Sequence, residues 1–278
     1  MGFLDAFKGK KPDLTVTTDP EQPLPGDEVR VRVLVEGELD DKAQGGRAGL
    51  RCVNEYLKRE YDRQDEEWDE VWRSVELHSD AQDLPLQPGE HEFTFTVPEG
   101  LPPASPKAVT WEAFAAIDRR RGLDATGSAP LAVRLPAPPA AESERRPVPA
   151  DEDGVAFDDL PGAVREGEAL YGTLSVTPPD DMKTTGVRVE LARVVTYSAD
   201  GHQIVRRETV AEVEVGGGQE LASGQTQTFP FTLPVPAGLG PTARAPHTVV
   251  EWVVKGIVAR RLRDDLDLAA PIVVYDGP

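Results

Sequence analysis

The sequence predicts an all-β protein built as two tandem β-sandwich domains related by internal duplication. Three observations lead there. Apolar residues recur at every second position in short runs bounded by turn residues, as in "EVRVRVLVEG", "EHEFTFTVP" and "GVRVELARVVTY", which is the period of half-buried antiparallel strands. Helical periodicity is hard to find. The second half of the chain repeats the strand and loop pattern of the first, and self-similarity of that kind outranks single motifs in setting architecture. An antiparallel sheet with one apolar face covers it with a second sheet, so the strands stack as sandwiches.

Taken in order, "MGFLDAFKGKK" places Phe3, Leu4 and Phe7 together on a helical turn with Lys8, Lys10 and Lys11 behind them. Burying each apolar side chain contributes roughly 1.5 to 3 kcal/mol, and each lysine near an anionic leaflet about 1 kcal/mol. The segment is therefore a candidate for weak, reversible membrane or partner contact. It is too short for a signal-peptide core, and Ala6 breaks the myristoylation pattern. Next, "GLRCVNEYL" reads as a strand in which Cys52 is a small buried hydrophobe rather than a nucleophile. The stretch "NEYLKREYDRQDEEWDEVWRSVELHS" has helix-favouring composition. Val71, Val75 and Leu77 alternating against Trp68 and Trp72 instead predict a hairpin that turns near Asp62 to Asp65.

Residues 138–150 lie in a proline-rich run without periodicity, an extended linker between an N-terminal domain, 1–137, and a C-terminal domain, 151–278. After it, "DEDGVAFDDLPG" imitates a calcium loop at Asp151 and Asp153. Glycine stands at its fourth place, and Gly162 where a bidentate glutamate belongs, so the EF-hand reading fails. "TVAEVEVGG" is a further strand, and "VGGGQ" after it a glycine turn that precedes no helix.

The repeat itself aligns "FTFTVPEGLPPASPKAVTWEAFAAIDRRRGLDATGSAPLAV" with "FPFTLPVPAGLGPTARAPHTVVEWVVKGIVARRLRDDLDLAAPIVV". Phe93, Phe95 and Pro98 match Phe229, Phe231 and Pro234, and Trp111 matches Trp252. Past one gap, Arg119 matches Arg260 and Asp124 matches Asp265. Upstream, "PGDEVRVRVLV" mirrors "REGEALYGTLSV". Trp111, Ala113, Ala115 and Ile117 then share a core face with the equivalent Trp252, Val254, Gly256 and Val258. Two arginine clusters follow where these strands leave the core: Arg119, Arg120 and Arg121, and Arg260, Arg261 and Arg263. They read as charged hairpin ends with Arg and Asp pairs worth roughly 0 to 1 kcal/mol each, or as sites that contact an anion or a partner.

Composition narrows the function classes. A net charge of -19 over 278 residues opposes binding to nucleic acid, which relies on Lys and Arg neutralising phosphates. The single cysteine permits no internal disulfide and no CxxC motif, which suits a reducing, cytoplasmic setting. His78, His91, His202 and His247 are dispersed, so no metal ligand set is expected. No nucleophile elbow, phosphate loop or dinucleotide fingerprint is present, and no cofactor is expected.

The paired pattern of "LQPGEHEFTFTVPEGLPPAS" with "VTWEAFAAIDRRRGLD", repeated as "LASGQTQTFPFTLPVPAGLGPTA" with "VVEWVVKGIVARRLRDDLD", resembles the arrestin-like superfamily. Within it, the chain is most similar to the bacterial sporulation-control proteins of the arrestin type. That resemblance implies two immunoglobulin-like sandwiches end to end, no enzymatic activity, and a cytoplasmic scaffold or adaptor binding protein partners in sporulation, developmental or envelope-stress control. Edge pairing leaves monomer and dimer both open. The alternative is a small-ligand or carbohydrate-binding sandwich module, which would use exposed aromatics such as Trp68 and Trp72.

Overall fold

The computed structural model describes residues 12–39, 41, 43–62, 65–120 and 123–278. Phe3, Leu4, Phe7 and Arg121 lie outside the described residues, as do the two central residues of the predicted hairpin turn. The chain is all-β, with antiparallel sheets and no closed barrel. No helix among the described residues is long and apolar enough to cross a membrane. The chain divides into two compact units. One takes in the chain up to Tyr56 together with Trp72–Arg134, and the other Leu57–Val71 together with Leu135–Pro278.

In the first unit the strands are β1 (Asp13–Asp19), β2 (Glu28–Glu36), β3 (Ala43–Asp62), β4 (Glu67–Asp83), β5 (Gly89–Thr96), β6 (Val109–Arg119) and β7 (Ala125–Pro130). They form two sheets, ordered β1-β2-β5 and β4-β3-β6-β7. Alternation decides what is buried: Val29, Val31, Val33 and Val35 of β2 are closed off from solvent, and Arg30, Arg32 and Leu34 between them are exposed. Trp111, Ala113, Ala115 and Ile117 of β6 are likewise buried, as the period of two requires. The predicted hairpin is present, its strands ending at Asp62 and resuming at Glu67.

The second unit contains the helical turn α1 (Ala140–Ser143) and strands β8 (Arg145–Val148), β9 (Val155–Pro161), β10 (Ala163–Arg165), β11 (Ala169–Val176), β12 (Met182–Ala199), β13 (His202–Gly217), β14 (Glu220–Leu221), β15 (Gln227–Pro234), β16 (Ala243–Arg244), β17 (Thr248–Arg260) and β18 (Leu266–Tyr275). One sheet runs β15-β11-β9-β8 and the other β10-β18-β17-β12-β13. The proline-rich segment thus contributes a strand, with Arg145–Val148 pairing against β9. Leu170, Leu174, Phe229, Phe231, Trp252, Val254 and Val258 are among the side chains that fill the core. Leu57–Val71, the end of the β3–β4 hairpin, counts with this second unit, within which Lys58 pairs with Asp200 at 3.0 Å and Glu70 with Arg206.

The two units share a strand order, β9-β11-β15 matching β1-β2-β5 and β13-β12-β17-β18 matching β4-β3-β6-β7. Equivalent turns also close with equivalent bonds. Gly26 N–H donates to the Val97 carbonyl at 2.8 Å and Gly167 N–H to the Val235 carbonyl at 2.9 Å. Both glycines have φ near the left-handed region, +89° and +83°, where an L side chain is strained.

Candidate binding surfaces

The two arginine clusters sit at the ends of β6 and β17, each on its own unit. At the first, the backbone N–H of Arg119 donates to Asp124 Oδ1 at 2.9 Å. At the second, the N–H of Arg260 donates to Asp265 Oδ1 at 3.1 Å. The aspartates therefore act as turn closures, a use of short acidic side chains that leaves their charge at the surface. The Arg260 guanidinium donates to the Asp264 carbonyl rather than to a carboxylate. Arg119 and Arg260 are half-buried, and Arg120, Arg261 and Arg263 are exposed. Leucines accompany them at both turns: Leu123 is 84% and Leu262 95% exposed. An isolated apolar residue in a charged run has no period to mark it, so alternation does not single out these leucines.

A second feature is the open edge formed by β4, which among the described residues is hydrogen-bonded to β3 and to no other strand. Every residue along it is exposed or half-exposed. Trp68, Trp72 and Val75 stand out among the exposed large apolar side chains, and Trp68 packs against Tyr61 with ring centroids 5.5 Å apart. The strand also carries Glu67, Asp69, Glu70, Glu76, Asp80 and Asp83. With Arg73 as its one lysine or arginine, the strand is strongly net acidic, and such charge on an edge deters pairing with an identical edge.

The third is a cavity of about 430 Å³ within the first unit, on the outer face of its four-stranded sheet. Cross-strand register builds it. Arg51 lies opposite Glu112, Gly49 opposite Phe114, and Arg47 opposite Ala116. On the next strand Ser128 and Thr126 stand beside Phe114 and Ala116. These positions alternate with the buried Leu50, Ala113 and Ala115 and so face away from the core. Arg51 donates from Nε to Glu112 Oε1 at 2.6 Å, and its guanidinium lies 5.3 Å from the Phe114 ring centre. Neither Trp68 nor Trp72 lines this cavity, so an aromatic-walled ligand site of the kind expected from those residues is not what forms here. Arg47 and Arg51 fall in an ordinary strand alternation, so periodicity does not single them out.

Other sequence features resolve into structure. Cys52 is fully buried, and burial pushes its thiol pKa up to about 12, the opposite of what a nucleophile needs. Asp151 Oδ1 accepts the N–H groups of Asp153 and Val155 at 3.1 and 3.0 Å, closing the turn into β9. Among the described residues no group of three or more His, Cys, Asp or Glu side chains is placed to hold a metal ion. No family model matches the chain, and no curated protein matches it in sequence.

Proposed function

We propose that this chain is a non-enzymatic adaptor that binds an extended segment of a protein partner along an open sheet edge. The observation that carries this reading is β4, a 17-residue strand with one side of its hydrogen-bond ladder free of other strands among the described residues and its side chains exposed or half-exposed. Main-chain pairing there would supply affinity, and alternating side-chain contacts specificity. The acidic residues on the edge favour a partner over a second copy of the chain. A cytoplasmic setting and a role in sporulation, developmental or envelope-stress control remain the finer part of the proposal, drawn from the arrestin-like resemblance. Residues 1–11 and the exposed arginines of the two turns are proposed as secondary contacts, the former with a membrane surface or the partner.

Affinity capture with cross-linking mass spectrometry, using the full chain beside Ser74→Pro and Val75→Pro, tests the reading. Adjacent strand residues point their N–H groups to opposite sides, so one of the two substitutions removes only an outward-facing donor. A partner cross-linked to β4 and lost with that variant, while its thermal melting is unchanged, supports edge addition. Capture unaffected by both prolines overturns it.

A further inference from the structure

We propose that the cavity on the outer face of the β4-β3-β6-β7 sheet binds a small monocarboxylate rich in hydroxyls, the chemistry of a sugar acid. This ligand site does not rest on the adaptor reading: it shares the side chains of Glu76 and Ser79 with β4 but uses the sheet face and not the outward N–H groups of the edge.

The charge argues for an anion. The protein as a whole carries -19, yet this cavity collects two guanidiniums, Arg47 and Arg51. Arg51 is held from two directions, by Glu112 at Nε and by the Phe114 ring beneath it. Its terminal NH₂ groups have no hydrogen-bond acceptor among the described residues. A guanidinium held in this way keeps a planar fork for a carboxylate, and the ordering cost is met before the ligand arrives. Arg47 stands four residues away on the same strand and face, with no ion-pair partner among the described residues. Gly49 between them carries no side chain, and the Asp80 carbonyl of β4 packs against it, so the two guanidiniums flank a point where β4 closes on β3.

The remaining lining selects the rest of the ligand. Ser79, Thr126 and Ser128 present hydroxyls, and Glu76 a carboxylate that accepts hydrogen bonds. Neutral hydroxyl groups match these partners, and an aliphatic or aromatic body does not, because Phe114 is already covered and only 9% exposed. Glu76 and the field of the whole protein oppose a dianion such as a phosphate monoester. With about 430 Å³ available, near the lower end of the usual range for ligand sites, one or two sugar rings fit.

Isothermal titration calorimetry with the full chain tests this, using D-glucuronate, D-glucose and D-glucose 6-phosphate as probes. The expected result is saturable glucuronate binding with Kd on the order of 1 mM, as suits a shallow site with few contacts. Glucose and glucose 6-phosphate should each bind at least about tenfold more weakly. Arg51→Met, which keeps an unbranched chain over Phe114, should weaken glucuronate by about tenfold or more, and Arg51→Lys should not restore it, because an ammonium lacks the planar fork. Arg47→Met serves as a second variant with the same expected direction should Arg51→Met lower the melting temperature. Absence of saturation at about 20 mM glucuronate, equal binding of glucose, tighter binding of glucose 6-phosphate, or wild-type affinity in folded variants would each overturn the assignment. None of these outcomes bears on partner capture along β4, so the two readings fail separately.

Discussion

Cys52 opposite Trp111 in the first unit and Arg193 opposite Trp252 in the second occupy equivalent places in two sheets of the same strand order. Their surroundings differ. In the first unit both residues are buried, and the indole N–H of Trp111 donates to the Pro102 carbonyl at 2.9 Å. In the second, an arginine only 7% exposed takes the cysteine's place. Burial lowers its pKa, while Tyr197, Glu208 and Glu166 act in the opposite direction. The indole N–H of Trp252 is buried and has no partner among the described residues. A shared topology thus sets which positions point inward, and the neighbouring loops decide whether a polar atom placed there is satisfied.

Exchanging these residues is the strongest way to break the comparison. Cys52→Arg should destabilise the first unit by about 4 kcal/mol or more, since it buries a charge where no acidic group has been provided. Arg193→Met, which keeps an unbranched chain but removes the attraction of Tyr197, Glu208 and Glu166, should lower stability by about 1 kcal/mol, less than Cys52→Arg. Urea unfolding of each variant checks both, and a tolerated Cys52→Arg would show that the two sites differ in occupant rather than surroundings.

The cysteine also gives the first unit a pH dependence that the second lacks at this position. Its thiol keeps its proton in the folded chain up to about pH 12, whereas its ordinary value is 9.0. The folded state therefore binds more protons between these values. Its contribution is complete below pH 9 and declines as pH rises toward 12, by at most about 1.4 kcal/mol per pH unit. Cys52→Ala should remove that part of the slope in unfolding measured from pH 8 to 10.5, and a thiol reagent at pH 8 should label Cys52 only after unfolding.

A smaller effect isolates the indole hydrogen bond. Trp111→Phe should cost about 1 kcal/mol more than Trp252→Phe, because only the former strands a carbonyl that had a partner. Equal losses would mean that the Trp111 bond contributes little net stability. The smallest effects are expected at the turns, where Asp124→Ala and Asp265→Ala should each cost roughly 1 kcal/mol or less. Their near-equality in thermal unfolding would sharpen the likeness between the two turns, and a gap of several degrees would dissolve it.

Much of this architecture was legible in the chain. The valines of β2 and the Trp111 to Ile117 face announce their burial through alternation alone, and the hairpin of β3 and β4 through alternation that overrides helix-favouring composition. Segment 138–150 was harder, because a strand as short as Arg145–Val148 at the edge of a sheet needs no apolar period and contains proline at a place where an edge tolerates it. The arginine clusters were visible as clusters, but the partners of their aspartates were not, since an acidic side chain near a turn suits a guanidinium and a backbone N–H equally well in sequence.

By itself, then, the sequence determined the strand class, the inward-facing positions and the inertness expected of Cys52. These follow from a period of two and from side-chain polarity, which act between near neighbours. Only the tertiary structure decided that Arg47 and Arg51 share a cavity with Ser128 and Thr126, that Arg51 is held by Glu112 and Phe114, and that β4 is left as an open edge. Those outcomes depend on the register of strands far apart in the chain, which is set when whole sheets pack and which no local pattern encodes.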